Sequence, residues 1–311
     1  MKTRRIGSLQ VSVVGLGCNN FGARIDEAAS NAVVDAALDA GITFFDTAEL
    51  YADGKSEEFL GRALGRRRGE VVIATKFGHS NWHPDRGAHP DYIRRAVEAS
   101  LRRLGTDVID LYQLHTPDPL VPIADTLGAL DELVESGKVR EIGCSQFSME
   151  QLRDARTAVR PGAVAFASVQ NEYSLLRRAP EGGVLQECER QAMAFLPYYP
   201  LASGLLTGKY RKGKGIPEGS RIADWFDGKI STMDLDRIEG LIRFSEAHFH
   251  TILELAFSWL LSHETVASII AGATTAEQVR ANVAAAGWQL TSAELAEIDT
   301  LAPNTVPASG R

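Results

Sequence analysis

Ile42-Thr43-Phe44-Phe45-Asp46-Thr47-Ala48-Glu49-Leu50-Tyr51 decides the fold. Four residues that suit a buried strand stop at an aspartate, and five residues later a tyrosine precedes the polar turn Ala52-Asp53-Gly54-Lys55-Ser56. A buried strand ending in acid-base groups is the pattern of barrel folds, whose chemistry sits at the C-terminal ends of the strands. Two later apolar runs end the same way. Val71-Val72-Ile73-Ala74-Thr75 runs into Lys76, and Ile109-Asp110-Leu111-Tyr112-Gln113-Leu114 runs into His115.

Outward from there the alternation repeats. Strands are expected to end near Asp46, Lys76, His115, Ser145, Asn171, Tyr199 and Ala271, after a first one at Val14-Gly15-Leu16-Gly17-Cys18. Between them lie helical stretches long enough for parallel crossovers, such as Ser56 to Leu64, Asp91 to Leu104 and Ser148 to Val159. Eight strands favour a closed (β/α)8 TIM barrel of the α/β class over an open sheet. An N-terminal β-hairpin around Gly7-Ser8 would plug one end. The section Gly208 to Phe249 breaks the rhythm as a long loop at the mouth, and extra C-terminal helices follow, the last over Ser292 to Leu301. No linker divides the chain, so residues 1–311 read as one domain.

Composition narrows the function. The chain is 44% hydrophobic and 23% charged, enough for a large core, and its net charge is −7. Its most basic block, Arg66-Arg67-Arg68, suits a helix C-terminus, so no nucleic-acid partner is expected. Cys18, Cys144 and Cys188 have no metal-ligand spacing and read as core residues in a reducing compartment, with no metal expected. Without a signal peptide or a long apolar run, the reading is a cytoplasmic protein with no membrane association. Gly15-Leu16-Gly17 lacks the third glycine of a dinucleotide fingerprint, since Asn20 stands there, and a tight turn allowed by glycine explains it better.

Lys76 would be costly in a core unless paired, and Asp46 is the available partner. An ammonium beside a phenol favours phenolate, so Tyr51 is expected to have a lowered pKa suited to acid-base work. His115 alone could be a core histidine; beside the other three it becomes a donor to a substrate oxygen.

These residues and their surroundings resemble the aldo-keto reductase superfamily over essentially the whole length. The resemblance is carried by Gly41 to Tyr51, Gly54-Lys55-Ser56-Glu57, Ala74-Thr75-Lys76, Asp110 to His115 and Gly137 to Ser145. Val169-Gln170-Asn171-Glu172-Tyr173-Ser174-Leu175, Tyr199 to Tyr210, and Gln278 with Asn282 extend it. It implies an NADPH-dependent oxidoreductase reducing aldehydes or ketones, with Asp46, Tyr51, Lys76 and His115 at the family's catalytic positions. It also implies cofactor contacts. Ser145 and Gln170 would hold the carboxamide, Tyr198 would stack on the nicotinamide, and Leu201, Ser203 and Leu205 would line the pyrophosphate. Gln278 and Asn282 would reach the adenosine, and Arg221 would meet the 2′-phosphate.

Two positions depart from the family pattern. Gln146 stands where an asparagine is usual beside the carboxamide, and Ile270-Ala271-Gly272 replaces Ile-Pro-Gly. The partner implied is a small carbonyl compound, with small aldehydes or sugars favoured over steroids by the short tail. The competing reading from another class is a nucleotide-sensing regulatory subunit, since the family includes channel-associated proteins built on the same barrel.

Overall fold

A computed structural model describes residues 1–79, 87–218, 220, 222–223 and 230–304. Strands β1 (Thr3–Ile6) and β2 (Leu9–Ser12) form the expected antiparallel hairpin. Eight parallel strands follow in spatial order β10-β3-β4-β5-β6-β7-β8-β9: β3 (Val14–Gly17), β4 (Phe44–Asp46), β5 (Val72–Phe77), β6 (Ile109–Leu114), β7 (Val139–Ser145), β8 (Ser168–Glu172), β9 (Ala194–Tyr198) and β10 (Ile269–Gly272). The ring closes where Phe195 donates to the carbonyl of Thr265 at 2.7 Å and Ala267 donates to Phe195 at 3.0 Å. This is a (β/α)8 barrel.

Crossover helices cover the outside: α1 (Glu27–Asp39), α2 (Lys55–Leu64), α3 (Pro90–Leu104), α4 (Ile123–Glu135), α5 (Met149–Ala158) and α6 (Val184–Gln191). Four more come later, α7 (Thr232–Ala247), α8 (Ile252–Leu261), α9 (Ala276–Ala284) and α10 (Ser292–Leu301). Their starts follow local chemistry. Ser148, Thr251 and Thr291 each accept from the third helical N–H while that residue's own side chain returns to the cap, so two orphan donors are satisfied at once.

Because helices cover one face of each strand and the barrel interior the other, the strands are buried on both sides. All six residues of β6 are buried. Inside the barrel, Phe44, Ala74, Leu111, Leu196 and Ile270 pack on Ile6, Leu9 and Val11 of the hairpin, which plugs the N-terminal end. The plug is fastened by polar contacts. Arg4 donates to the carbonyls of Leu261, His263 and Val266, and Ser8 donates to Glu141 through its N–H at 2.7 Å and its hydroxyl at 2.6 Å. Gly7, at φ 54°, leaves room for that carboxylate, since a Cβ there would lie 2.6 Å from it.

Two expectations are corrected. Gly15 and Gly17 lie in β3 rather than in a tight turn, and neither has a positive φ. Glycine is needed at 15 for space, because a Cβ would come 2.7 Å from the Phe44 ring and 2.8 Å from the Ser268 hydroxyl. The arginine block also does more than cap a helix. Arg68 donates to the carbonyls of Val71 and Val108 and pairs with buried Asp110 at 2.7 Å.

Helix packing gives a paired test. A Cβ on Gly61 of α2 would lie 2.4 Å from the backbone oxygen of Leu104, whereas one on Gly128 of α4 would meet nothing within 4 Å. Alanine gains up to about 1 kcal/mol over glycine in a helix, but overpacking costs about 1–3 kcal/mol, and a backbone neighbour cannot swing aside. Gly61→Ala should lower the urea midpoint and Gly128→Ala should raise it. Two shifts of the same sign would contradict the packing described.

Candidate active site

Four strand ends and one loop build the site at the C-terminal mouth of the barrel. Asp46 closes β4, and Lys76 is the fifth residue of β5. Lys76 is fully buried and donates to Asp46 Oδ2 at 2.6 Å, to the Thr47 carbonyl at 2.8 Å and to the Tyr51 hydroxyl at 3.4 Å. The other Asp46 oxygen accepts from Gln170 Nε2 of β8 at 2.8 Å and, at the longer 3.4 Å, from Gln113 Nε2 of β6. A buried carboxylate is therefore met by donors from three different strands.

Tyr51 is carried by the loop after β4. Its backbone N–H donates to Ala48 at 3.1 Å, and Ala52, Asp53 and Gly54 follow in left-handed conformation at φ 50°, 53° and 87°. Two non-glycine residues held there are a local cost of the kind that gathers at functional sites. The surroundings enforce the turn. Ser56 bonds the Thr47 hydroxyl at 2.8 Å and the Cys18 carbonyl at 2.8 Å, while a Cβ on Gly54 would lie 2.6 Å from Arg103 Cδ. That arginine binds buried Glu57 at 2.6 Å, whose other oxygen accepts from Thr75 on the outward face of β5.

Electrostatics correct one expectation. Burial pushes the Tyr51 phenol above its ordinary value, and the Lys76 ammonium only partly offsets this, with Asp46 working in the same direction as burial. The phenol is held protonated at neutral pH rather than shifted toward phenolate. Burial opposes the charge on Lys76, but Asp46 and then Tyr51 outweigh it and hold the ammonium above its ordinary value. His115 is nearly buried, and burial, then Lys76 and His79, push its pKa well down. It is a neutral imidazole. Its ring meets Tyr51 edge-on at 6.0 Å and His79 at 5.0 Å, and its Nδ1 has no hydrogen-bond partner among the described residues.

A cavity of about 650 Å³ opens above these residues. Tyr51, His115, Asp46, His79, Ser145, Gln146 and Gln170 lie on its wall at one end, and Tyr198 at the end of β9 with Leu201 and Ser203 beyond it continue it. Gln278, Ala281 and Asn282 of α9 line it as well. Ser145 spends its hydroxyl on the Gln170 carbonyl at 2.8 Å. Gln146 adopts φ 62° and donates its amide to the His115 carbonyl at 3.1 Å. Burial pushes the Tyr198 phenol up to about 12. Gln278 accepts from Thr274 through its N–H at 2.8 Å and its hydroxyl at 3.2 Å. Leu205 does not reach the cavity; its side chain is buried in the hydrophobic layer. Arg221 lies outside the described residues.

Sequence reasoning passed over Gln113, Gly204, Lys209 and Thr274. The last three line the cavity. Lys209 was visible in Gly208-Lys209-Tyr210, but only the loop's fold turns it inward, with its ammonium 5.2 Å above the Tyr210 ring. Asn19, Asn20 and Arg24 complete the wall near β3.

The fold and these groups define an acid-base site at the mouth of a (β/α)8 barrel. Comparison with known proteins agrees with that class. The Aldo/keto reductase family model matches residues 13–303. The aldo-keto reductase yakc of Schizosaccharomyces pombe, named for NADP(+), is 35% identical over 312 residues, covering 95% of this chain and 90% of that protein. A probable voltage-gated potassium channel subunit beta of Oryza sativa subsp. japonica is 33% identical, covering 92% and 91%. Among solved structures, a glycerol dehydrogenase from Gluconobacter oxydans superposes with a TM-score of 0.84 at 29% identity, covering 99% of this chain and 98% of that one. The chain belongs to the aldo/keto reductase family. It is an oxidoreductase of the (β/α)8 type. Among the described residues, no helix is long and apolar enough to cross a membrane.

Neutral His115 gives a measurable pH dependence. The unfolded chain takes up a proton on this residue below about pH 6.5, and the folded chain does not, so the unfolded state gains protons and stability falls as pH drops through that range. His79 and His263, also held low, add to the slope. The urea midpoint should decrease from about pH 7.5 to about pH 5.5, and His115→Gln should make the decrease smaller. An unchanged slope would show that His115 is charged in the folded protein.

Proposed function

We propose that the protein reduces aldehydes or ketones to alcohols with NADPH, and that Tyr51 is the general acid. The observation that supports this most directly is the contact chain Tyr51, Lys76, Asp46 at the wall of the cavity, with a phenol held protonated. A substrate oxygen beside Tyr51 and His115 would accept the phenolic proton while His115 donates from its neutral ring and fixes orientation. As that proton leaves, the Lys76 ammonium stabilises the phenolate, an electrostatic effect that grows only as charge develops. Asp46 acts through Lys76.

The residues present suit a nicotinamide dinucleotide. Ala202, Ser203 and Gly204 follow β9 with φ of 46°, 57° and 96°, a turn held by Ala202 and Gly204 donating to the carbonyls of Tyr199 and Leu201 at 2.8 and 2.9 Å, and it leaves Ser203 and Gly204 on the cavity wall. Helix α9, capped by Thr275, starts beside the same cavity and adds the positive end of its dipole. These are the loops after the seventh and eighth barrel strands, where barrel enzymes hold phosphate. Ser203, Gly204 and Lys209 would hold the diphosphate, Gln278 and Asn282 the adenosine, and Ser145, Gln170 and Tyr198 the nicotinamide. The bound cofactor would supply the hydride. The preference for NADPH rests on the resemblance at Arg221 and on the NADP(+)-named relative.

The relative named as a channel subunit supports a second reading, a regulatory protein with little turnover. Steady-state consumption of NADPH with a reactive aldehyde separates the two. Tyr51→Phe should reduce that rate by about 10²–10⁴-fold, the usual share of general acid-base catalysis, with NADPH affinity nearly unchanged. A variant retaining more than about a tenth of the rate would remove Tyr51 from the role. Arg221→Ala should weaken NADPH by roughly 10- to 150-fold, the value of a hydrogen bond to a charged group, and leave NADH unaffected. Equal losses for both nucleotides would refute the phosphate contact.

A further inference from the structure

Asp46 has two carboxylate oxygens in a buried site, and Lys76 takes one of them. The other is met by side-chain amides from two strands, Gln170 at 2.8 Å and Gln113 at 3.4 Å. Both glutamines are buried on the barrel interior. Gln113 is given its space by Gly143 across the sheet, where a Cβ would stand 3.1 Å from Gln113 Cγ. Neither amide could be flipped without turning its oxygen toward the carboxylate, so the nitrogens face Asp46.

We propose that Gln113 and Gln170 form an amide clamp on Asp46 and are positioning residues for proton transfer, acting on Tyr51 through Asp46 and Lys76. The inference deepens the reading of Tyr51 as the acid and rests on it. Two N–H dipoles aimed at Oδ1 spread part of the carboxylate charge away from Lys76, so the ammonium keeps more of its field for the phenol. Without them Asp46 neutralises Lys76 more completely, and phenolate becomes harder to form. The two arms differ usefully. Gln170 lines the cavity and would also hold the carboxamide, whereas Gln113, the neighbour of Lys76 across β5 and β6, does not line it and hydrogen-bonds to Asp46 alone among the site side chains.

The other titratable groups around the pair come from several elements. Cys18 after β3 is adjacent to Asp46, His79 and His115 stand at the ends of β5 and β6, and Tyr198 and Tyr199 face Tyr51 from the end of β9. Burial holds the two imidazoles neutral and the Cys18 thiol and Tyr198 phenol protonated over the working range, so they add no change of charge there.

The test compares Gln113→Leu, Gln113→Met, Gln170→Leu and Gln170→Met with the parent protein. Tyrosinate difference absorbance, with Tyr51→Phe subtracted, reads the Tyr51 pKa without cofactor or substrate. The pH profile of alcohol oxidation reads it in turnover. The clamp is expected to show as an upward move of about one pH unit in both, and so as about a tenfold loss of oxidation rate near neutral pH. NADPH affinity should be retained in the Gln113 variants and weakened in those of Gln170. A lower rate with an unmoved profile in all folded variants, or a downward move, overturns the clamp. The methionine variants keep the chain length if leucine disturbs folding. Should Tyr51→Phe prove active, the reading of the acid fails, but the absorbance titration still decides whether the amides act on the phenol.

Discussion

The buried ion pair between Lys76 and Asp46 is the constraint on which the barrel mouth depends. Removing two charges from water costs several kcal/mol per ion, and the pair recovers this only if the geometry is good and the remaining donors and acceptors are satisfied. Here they are. Lys76 distributes its donors over Asp46, Thr47 and Tyr51, and Asp46 accepts from Lys76, Gln170 and Gln113. Asp46 and its three donors come from four different strands, so the register of β4, β5, β6 and β8 must be correct together for the charges to be tolerated. The same neighbouring residues pin β5 from both faces: Lys76 points inward, while Thr75 points outward to Glu57 and through it to Arg103 of α3. Alternation along one strand thus ties the buried Lys76–Asp46 pair to the helical layer.

Competition between burial and charge determines which form of Tyr51 the folded protein keeps. A cation next to a phenol lowers its pKa, and taken alone that argument suggests a phenolate. Yet the same closure of the site that makes Lys76 influential also removes water from the phenol, and that effect is the larger. The resting group is a protonated phenol with an ammonium already beside it. For the proposed carbonyl reduction this would be the useful order, since the ammonium would act once the proton had begun to leave.

Much of this was legible because parallel strands buried on both faces leave long apolar runs, against which a terminal Asp, Lys or His stands out. The strand count, the hairpin plug and the three buried cysteines follow from that contrast and from simple burial. Strand ends shift by a residue, as at Leu114 rather than His115, because hydrogen-bonded ladders and side-chain character do not stop together. What could not be read was direction. Nothing in Leu201 to Thr207 says that left-handed turns at Ser203 and Gly204 put those residues on the cavity and send Leu205 into the core. Gln113 was hidden for the same reason, an amide within an apolar run whose meaning depends on Gly143 leaving it room.

Gln146 shows how a departure from a family pattern can be absorbed by its neighbours. Its φ of 62° lies in the left-handed region, which asparagine adopts more readily than most side chains, so glutamine carries a small backbone cost there. The extra methylene offers a return. It lets the amide reach the His115 carbonyl at 3.1 Å, while the His115 N–H donates to Phe77 at 2.8 Å. His115 is thereby held through both backbone groups, and its neutral ring meets Tyr51 edge-on. A residue whose usual counterpart is placed beside the carboxamide has become part of the support for the histidine.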